Sequence, residues 1–130
     1  MVYGNDYPTR DGSCIRDYIH VADIAHAHTF SVQYLIGKKN KTGCDIFNLG
    51  TGTGITVLEV IHTFEEVSGV KLNYEIGPRR SGDVIAIYAN NDAAVTQLGW
   101  KIKYGITEMM QTAWAWELKI KAAEEIIKSN

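Results

Sequence analysis

The chain has 130 residues, of which 45% are hydrophobic, and a formal net charge of −2. This composition fits one globular domain with a modest core and excludes a disordered or fibrous chain. Acidic and basic residues are well mixed, which gives no reason to expect nucleic acid or a membrane as a partner. No apolar run is long enough to cross a bilayer, and no signal peptide is recognised at the start. Cys14 and Cys44 do not form a C-x-x-C motif, so we expect free thiols and a cytoplasmic location.

The first half of the chain alternates turns, a strand and a helix. Turn-forming residues dominate positions 1–15, and partial alternation of polar and apolar residues predicts a half-buried strand over 16–21. A helix is predicted over 22–36, and a short apolar strand over 45–49. Helical spacing predicts one face that a neighbour can approach closely, formed by Ile24, Ala25, His28, Val32, Leu35 and Ile36, although in this chain the helix is expected to lack its packing partner.

A second helix has clear signals at both of its ends. Thr56 and Glu59 have the capping-box spacing, and Gly69 is placed to end the helix. The remaining predicted elements are a strand over 71–76, a short helix over 92–99 and a long helix from about 107. Because strands alternate with helices, the sequence predicts an α/β fold with parallel strand pairs.

The loop at residues 77–83 has the residue types of an anion site. It contains Arg79, Arg80 and Asp83 between turn-forming glycines and a proline. A guanidinium group presents a rigid fork of donors that matches phosphate oxygens, and a carboxylate accepts hydrogen bonds from sugar hydroxyls. These groups suit a ligand with a diphosphate and a nearby ribose. The alternative is a surface loop whose arginines and aspartate pair with each other.

Glycines at positions 50, 52 and 54 follow the strand predicted over 45–49 and precede a helix. Their spacing is G-x-G-x-G, whereas a dinucleotide-binding turn has G-x-G-x-x-G. We therefore interpret these glycines as a tight strand-to-helix turn and predict no cofactor-binding residue in the chain.

Tyr34 and Lys38 have the Y-x-x-x-K spacing of a reductase base and its lysine. Gly37 falls between them at a helix end, so we interpret the spacing as a coincidence and predict no catalytic residue. The four histidines are not grouped at ligand spacing, and we predict no metal site.

Several spaced motifs, taken together, are similar to those of one family. The chain resembles the C-terminal part of the UDP-glucose 4-epimerases, which belong to the extended short-chain dehydrogenases/reductases. The resemblance covers essentially the whole chain and depends on Val2 to Thr9, Asp11-Gly12, Arg16 to Val21 with Asp23, Asn48 to Gly52, and Pro78 to Asp83.

The resemblance implies a diphosphate site in this chain. It implies that Arg16 and Arg80 hold the diphosphate of a UDP-hexose and that Asp83 holds the ribose. The residue chemistry agrees, because charged forks bind phosphate oxygens and a carboxylate accepts from hydroxyls.

Four further positions match the family's substrate pocket. Tyr3 matches the aromatic position beside uracil, and Tyr18 and Val57 match positions that line the nucleotide pocket. Ile87 matches the position whose size gates the sugar pocket: a large tyrosine is associated with hexoses only, and a smaller residue with N-acetylhexosamines. Isoleucine is intermediate in size, so this position does not decide which sugar the pocket accepts.

The resemblance also implies a fold, a cofactor and partners. The implied fold is part of a Rossmann-like sheet plus a small substrate-binding α/β domain, with residues 1–130 as the C-terminal UDP-sugar-binding portion. NAD is expected in an N-terminal domain that this sequence lacks, where it exchanges a hydride with sugar C4. We therefore expect the chain alone to be inactive, and expect UDP-glucose and UDP-galactose as ligands of a homodimeric enzyme.

The alternatives are a related epimerase, dehydratase or decarboxylase, such as a UDP-N-acetylglucosamine 4-epimerase, or a non-catalytic UDP-binding or interaction module.

Overall fold

The computed structural model describes residues Met1–Lys128. Within them, the helices are α1 (Val21–Ile36), α2 (Val57–Ser68) and α3 (Ile106–Lys128), with a π-helical turn at Ala94–Leu98. All three long helices were predicted from the sequence; α2 begins where its capping box predicts, and the starts of α1 and α3 differ by one residue from the predicted ones. The short predicted helix over 92–99 is mostly this π-helical turn, which ends at Gly99 with φ of 73°.

The strands are short and form two separate pairs. In the first pair the strands are parallel, and in the second they are antiparallel. The members are β1 (Val2–Tyr3) with β4 (Ile76–Gly77), and β2 (Ile15–Arg16) with β3 (Ile55–Thr56). A parallel bridge also joins Ile15 to Ala86. The α/β class is therefore confirmed, and the parallel pairing with it.

Several predicted strands are shorter than expected. Of the run 16–21 only Arg16 lies in a strand, and of the run 71–76 only Ile76 does. The run 45–49 forms no strand ladder within the described residues. Its Phe47 and Leu49 instead pack against the buried core. Alternating apolar residues fit one buried side of an extended segment, but they do not supply the hydrogen-bonding partner that a strand requires.

The face predicted for α1 is not the one that is buried in this chain. The buried residues of this helix are Asp23, Ala27 and Tyr34. The predicted face is exposed over much of its length, and Ile36 is 77% exposed. Hydrophobic spacing alone does not identify the buried side of α1, because a buried carboxylate orients the helix.

Asp23 fixes the rotation of α1 through hydrogen bonds to distant residues. Its carboxylate accepts the amide N–H of Lys103 at 3.2 Å and that of Tyr104 at 3.1 Å. Its carbonyl oxygen accepts the indole N–H of Trp100 at 2.8 Å. Buried polar groups require such partners, so the side of α1 that carries Asp23 must face this segment.

The core lies between α1 and the π-helical turn. Trp100 is fully buried there and packs with Ala27, Tyr34, Ala94 and Leu98. The Tyr34 hydroxyl donates to Asp45 Oδ2 at 2.9 Å, which makes Tyr34 part of this core. Lys38 lies beyond the end of α1 with φ of 51°. The interpretation of the Tyr34–Lys38 spacing as a coincidence therefore agrees with the structural role of Tyr34.

Helix α2 begins and ends as the sequence predicts. The Thr56 hydroxyl accepts from the amide of Glu59 at 3.1 Å, and Glu59 Oε2 accepts from the amide of Thr56 at 2.9 Å. Gly69 ends the helix in the left-handed conformation with φ of 70°. The capping box satisfies two amides that the first helical turn leaves unpaired.

Glu59 links the stability of the fold to pH. Its carboxylate also pairs with Arg10, and this hydrogen bond is the main reason that the pKa of Glu59 falls from 4.5 to about 2. A carboxyl with a lowered folded-state pKa stabilises the fold above its unfolded pKa and loses that effect as pH falls through the folded one. We expect Glu59→Gln to lower the free energy of unfolding by about 1 kcal/mol at neutral pH.

The deficit of the Glu59→Gln variant should shrink as pH falls from about 4.5 towards 2, which urea unfolding at several pH values measures. Glu66→Gln, an exposed change on the same helix, serves as the control. A deficit that is independent of pH would contradict this role of Glu59.

Helix α3 packs on α2 through its first half only. The rings of Trp114 and Phe64 meet edge to face with centroids 5.6 Å apart. Every described residue of α3 after Trp114 is exposed. The second half of the helix is therefore on the surface.

Candidate functional site

A small cavity lies where β1, β2, the start of α2 and the loop 77–83 meet. Its volume is about 200 Å³. Five of the seven residues predicted for the site line it, namely Tyr3, Arg16, Val57, Arg80 and Asp83. Pairing of β1 with β4 brings Tyr3 to the start of the loop, and β2 carries Arg16 to the same place. Residues that are far apart in sequence therefore form one site.

Arg16 and Arg80 converge on one carboxylate oxygen. Arg80 Nη2 lies 2.7 Å from Asp83 Oδ1, and Arg16 Nη2 lies 3.4 Å from the same atom. The Arg80 hydrogen bond is the main reason that the pKa of the Asp83 carboxyl is below its usual range. Asp83 is consequently ionised at neutral pH, and two positive groups share one negative charge. The cluster has a formal charge of +1, which favours an anionic ligand.

Backbone carbonyls hold Arg16 in position. Its Nη1 donates to the carbonyl oxygens of Ile15 at 2.7 Å and Val84 at 2.9 Å. These two bonds anchor one end of the guanidinium group and direct the other end into the cavity. A donor that is already oriented loses less conformational freedom when it binds a ligand.

The two consecutive arginines of the loop point to different places. Arg79 Nε donates to Asp6 Oδ1 at 2.7 Å, and its guanidinium carbon lies 4.1 Å from the centre of the Tyr7 ring. Arg80, in contrast, lies in the cavity with its guanidinium carbon 5.5 Å from the centre of the Tyr3 ring. Only the second arginine therefore faces the candidate site.

Tyr18 and Ile87 are not among the residues that line this cavity. Tyr18 is half-buried, and burial is the main reason that the pKa of its hydroxyl is raised. The Ile87 side chain is 57% exposed, and its amide donates to the carbonyl of Ile15 at 3.1 Å. These two positions therefore lie outside the wall of this cavity.

Sequence reasoning missed Cys14 as a wall of the cavity. Its side chain is buried and unpaired with another cysteine, and it lines the cavity together with Met1 and Val2. The available signal was its position two residues before Arg16, because alternate residues of a strand face the same side.

The glycines at 50, 52 and 54 have a backbone role. A Cβ added at Gly50 would lie 2.0 Å from Asp17 Oδ2 and 2.7 Å from the Ala89 Cβ. The Asp17 carboxylate accepts the amides of Thr51 at 2.8 Å and Ala89 at 2.9 Å. Asp17 therefore fills the space beside Gly50 and accepts the amide that follows it, which gives this glycine a packing role.

We expect Gly50→Ala to destabilise the fold by at least about 2 kcal/mol, because a carboxylate and a methyl group must both move. Gly43→Ala is a matched control, since nothing lies within 4 Å of a Cβ added there. Thermal or denaturant unfolding measures the difference. Equal stability of the two variants would contradict the close approach of Asp17 to this turn.

Among residues Met1–Lys128 no group of three or more histidine, cysteine or acidic side chains is arranged to hold a metal ion. No helix in the same range is both long and apolar enough to cross a bilayer.

Comparison with known proteins agrees with the motifs. The family model described as GDP-mannose 4,6 dehydratase matches residues 1–113. A bifunctional UDP-glucose 4-epimerase and UDP-xylose 4-epimerase of Arabidopsis thaliana is 48% identical over 118 residues, covering 91% of this chain and 33% of that protein. The chain thus spans about a third of the length of the curated relatives it matches.

Solved structures show the same fold. The UDP-glucose 4-epimerase of Stenotrophomonas maltophila, with bound NAD and formylated UDP-arabinopyranose, has a TM-score of 0.88 and 42% identity, over 94% of this chain and 35% of that one. The UDP-glucose 4-epimerase of Bifidobacterium longum, in complex with NAD+ and UDP, has a TM-score of 0.81 and 43% identity, over 91% and 34% of the two chains.

The fold and these likenesses define the class: the chain is an α/β segment of the extended short-chain dehydrogenases/reductases. Within that class it belongs to the family described as GDP-mannose 4,6 dehydratase. The resemblance to UDP-glucose 4-epimerases inferred from the motifs is confirmed.

Proposed function

We propose that residues 1–130 are the C-terminal, UDP-sugar-binding portion of an NAD-dependent UDP-hexose 4-epimerase that interconverts UDP-glucose and UDP-galactose. The observation that carries this proposal is the convergence of Arg16 and Arg80 on one oxygen of Asp83, beside the Tyr3 ring. Two guanidinium groups that reach the same atom are also spaced to contact one diphosphate.

Each side chain that lines the cavity at the charged cluster has a role when UDP binds. The diphosphate takes over the donors of Arg80 and Arg16 that now point at Asp83 Oδ1. Asp83 stays close and accepts a hydrogen bond from a ribose hydroxyl, because an ionised carboxylate is an acceptor only. Tyr3 offers a ring face for uracil, and Val57 closes the apolar side of the cavity.

Firm binding of the nucleotide serves the reaction at the sugar. In epimerisation the sugar must present both of its faces, so it cannot itself be held tightly. Binding energy from the remote UDP group retains the sugar while its carbon reacts. We propose that Arg16, Arg80 and Asp83 bind the UDP group in this way. Tyr18 is proposed as a more distant wall of the nucleotide pocket.

NAD belongs to a different part of the enzyme in this proposal. The glycines at 50, 52 and 54 lack the spacing of a dinucleotide-binding turn, and the Asp17 carboxylate already accepts the amide of Thr51 within it. We place NAD in an N-terminal domain outside this sequence, where it supplies hydride exchange. The Stenotrophomonas and Bifidobacterium structures, which contain NAD with a UDP compound, support this division. We also propose a cytoplasmic homodimer.

The direct test is calorimetric titration of the chain with UDP and, separately, with uridine. We expect UDP to bind at least about tenfold more tightly, because the diphosphate gains charge-assisted hydrogen bonds from two arginines. Equal affinity for the two ligands, or binding of neither, would contradict the assignment of this cavity.

Ile87 is proposed as the residue that sets the size of the sugar pocket. In the complete enzyme we expect Ile87→Tyr to lower turnover of UDP-N-acetylhexosamines several-fold relative to plain UDP-hexoses, because the larger ring occupies space near the N-acetyl group. The ratio of kcat/KM for the two substrates measures this effect. Ile85→Tyr, a comparable exposed position two residues away, is the control. An unchanged ratio would remove Ile87 as the gate.

A further inference from the structure

Asp83 is held beside Arg80 by the backbone of its own loop. The amide of Asp83 donates to the carbonyl oxygen of Arg80 at 3.2 Å, which closes a β-turn over residues 80–83. Within this turn Asp83 Oδ1 lies 2.7 Å from Arg80 Nη2. Because a few residues of backbone tie the two side chains together, the carboxylate meets this guanidinium group at a high effective concentration.

The carboxylate of this cluster is sheltered, whereas the arginine on the same turn is exposed. The Asp83 side chain is 11% exposed, that of Arg16 is 26% exposed and that of Arg80 is 63% exposed. An anion that arrives from solvent therefore meets Arg80 before the other two groups. To accept from the Nη2 atoms of both arginines, the anion must displace Asp83 Oδ1, which lies opposite both of them now.

Displacing Asp83 has different consequences for different anions. Inorganic diphosphate supplies acceptor oxygens and no ribose, so it leaves the ionised carboxylate beside further negative charge without a donor. A ribonucleoside diphosphate also supplies ribose hydroxyls, which donate charge-assisted hydrogen bonds to the same carboxylate. The cost of separating Asp83 from its arginines is therefore offset only for a diphosphate that carries a ribose.

We propose that Asp83 is a specificity-determining residue, a tethered carboxylate that competes with inorganic diphosphate for Arg16 and Arg80 and thereby selects diphosphates with ribose hydroxyls. This role rests on the UDP site proposed above and adds to it the rejection of inorganic anions. Two guanidinium groups alone match the oxygens of any diphosphate, so they do not distinguish a nucleotide from the free anion. A charge that the wrong ligand leaves unpaired provides this discrimination.

Asp6 is a matched comparison for Asp83. It also pairs with an arginine of the loop, since Arg79 Nε donates to Asp6 Oδ1 at 2.7 Å. This pair is not part of the cavity wall, and the Asp6 side chain is 69% exposed. Asp6→Asn and Asp83→Asn remove the same charge from the same region of the chain, but only the second removes a competitor for Arg16 and Arg80.

Calorimetric titration of the chain with inorganic diphosphate at fixed ionic strength tests the competition. We expect Asp83→Asn to bind at least about fivefold more tightly than the unsubstituted chain, because asparagine keeps the shape of the side chain without its charge. Asp83→Ala should change the affinity in the same direction, and Asp6→Asn should change it by less than about twofold. Unchanged or weaker binding in both Asp83 variants, or an equal gain in Asp6→Asn, would overturn the proposal.

Comparison of UDP with 2′,3′-dideoxyuridine diphosphate tests the selection, because the two ligands differ only in the ribose hydroxyls. We expect the unsubstituted chain to prefer UDP by at least about fivefold and Asp83→Asn to reduce the preference to about twofold or less. A preference of the same size in both proteins would overturn the role of Asp83. Failure of the UDP site itself has a separate sign, equal affinity of the unsubstituted chain for UDP and uridine, whereas the titration with inorganic diphosphate requires only the arginines.

Discussion

Arg80→Ala should weaken UDP binding by at least about tenfold, whereas Arg79→Ala should change it by less than about twofold. The two residues are adjacent in sequence and equal in charge, but they point to different places. Arg80 lies in the cavity 2.7 Å from Asp83 Oδ1, and Arg79 pairs with Asp6 outside it. The comparison therefore separates a specific contact from the general effect of removing a positive charge.

Arg80→Lys adds a second comparison at the same position. Lysine keeps the charge but loses the planar fork that matches two phosphate oxygens, so we expect an intermediate loss of affinity. Calorimetry with UDP measures all three variants. Equal losses for Arg79→Ala and Arg80→Ala would show that the loop acts only through its charge, and would contradict the proposed contact.

Trp100→Ala should lower the free energy of unfolding by about 3–5 kcal/mol, the largest stability effect that we expect in this chain. Trp100 is fully buried in the core and donates its indole N–H to the carbonyl oxygen of Asp23 at 2.8 Å. The substitution leaves a large cavity and also leaves a buried carbonyl without this donor. In a domain of this size, such a loss is a large fraction of the total stability.

Trp100→Phe should cost less, because it keeps most of the ring volume and loses mainly the hydrogen bond. Ile36→Ala serves as the surface control, since Ile36 is 77% exposed. Urea unfolding followed by far-ultraviolet circular dichroism gives the three values. A Trp100→Ala protein as stable as the Ile36→Ala protein would contradict the description of the core.

The features that the sequence predicts best are those set by neighbouring residues. The capping box of Thr56 and Glu59 and the left-handed glycine at 69 depend on contacts within a few positions, and all are present. The buried side of α1 was not predicted because it depends on Asp23, whose amide partners are about 80 residues further along the chain. Hydrophobic spacing contains no information about such partners.

In the candidate site, too, some features are predicted from the sequence and others depend on contacts between distant residues. Motifs indicated the residue types at 16, 80 and 83, and strand pairing was needed to bring them together. The sequence alone gives no reason for Arg79 and Arg80 to face different carboxylates. That difference depends on Asp6 and Asp83, which lie on separate segments of the chain. Cys14 was missed because its only signal is its position two residues before Arg16.

The most direct test of the proposed diphosphate site is a crystal structure of this chain with UDP. We predict that the guanidinium groups of Arg16 and Arg80 both lie within hydrogen-bonding distance of one diphosphate, with Asp83 beside the ribose. UDP bound at another surface, with both arginines still directed at Asp83 as they are now, would contradict it.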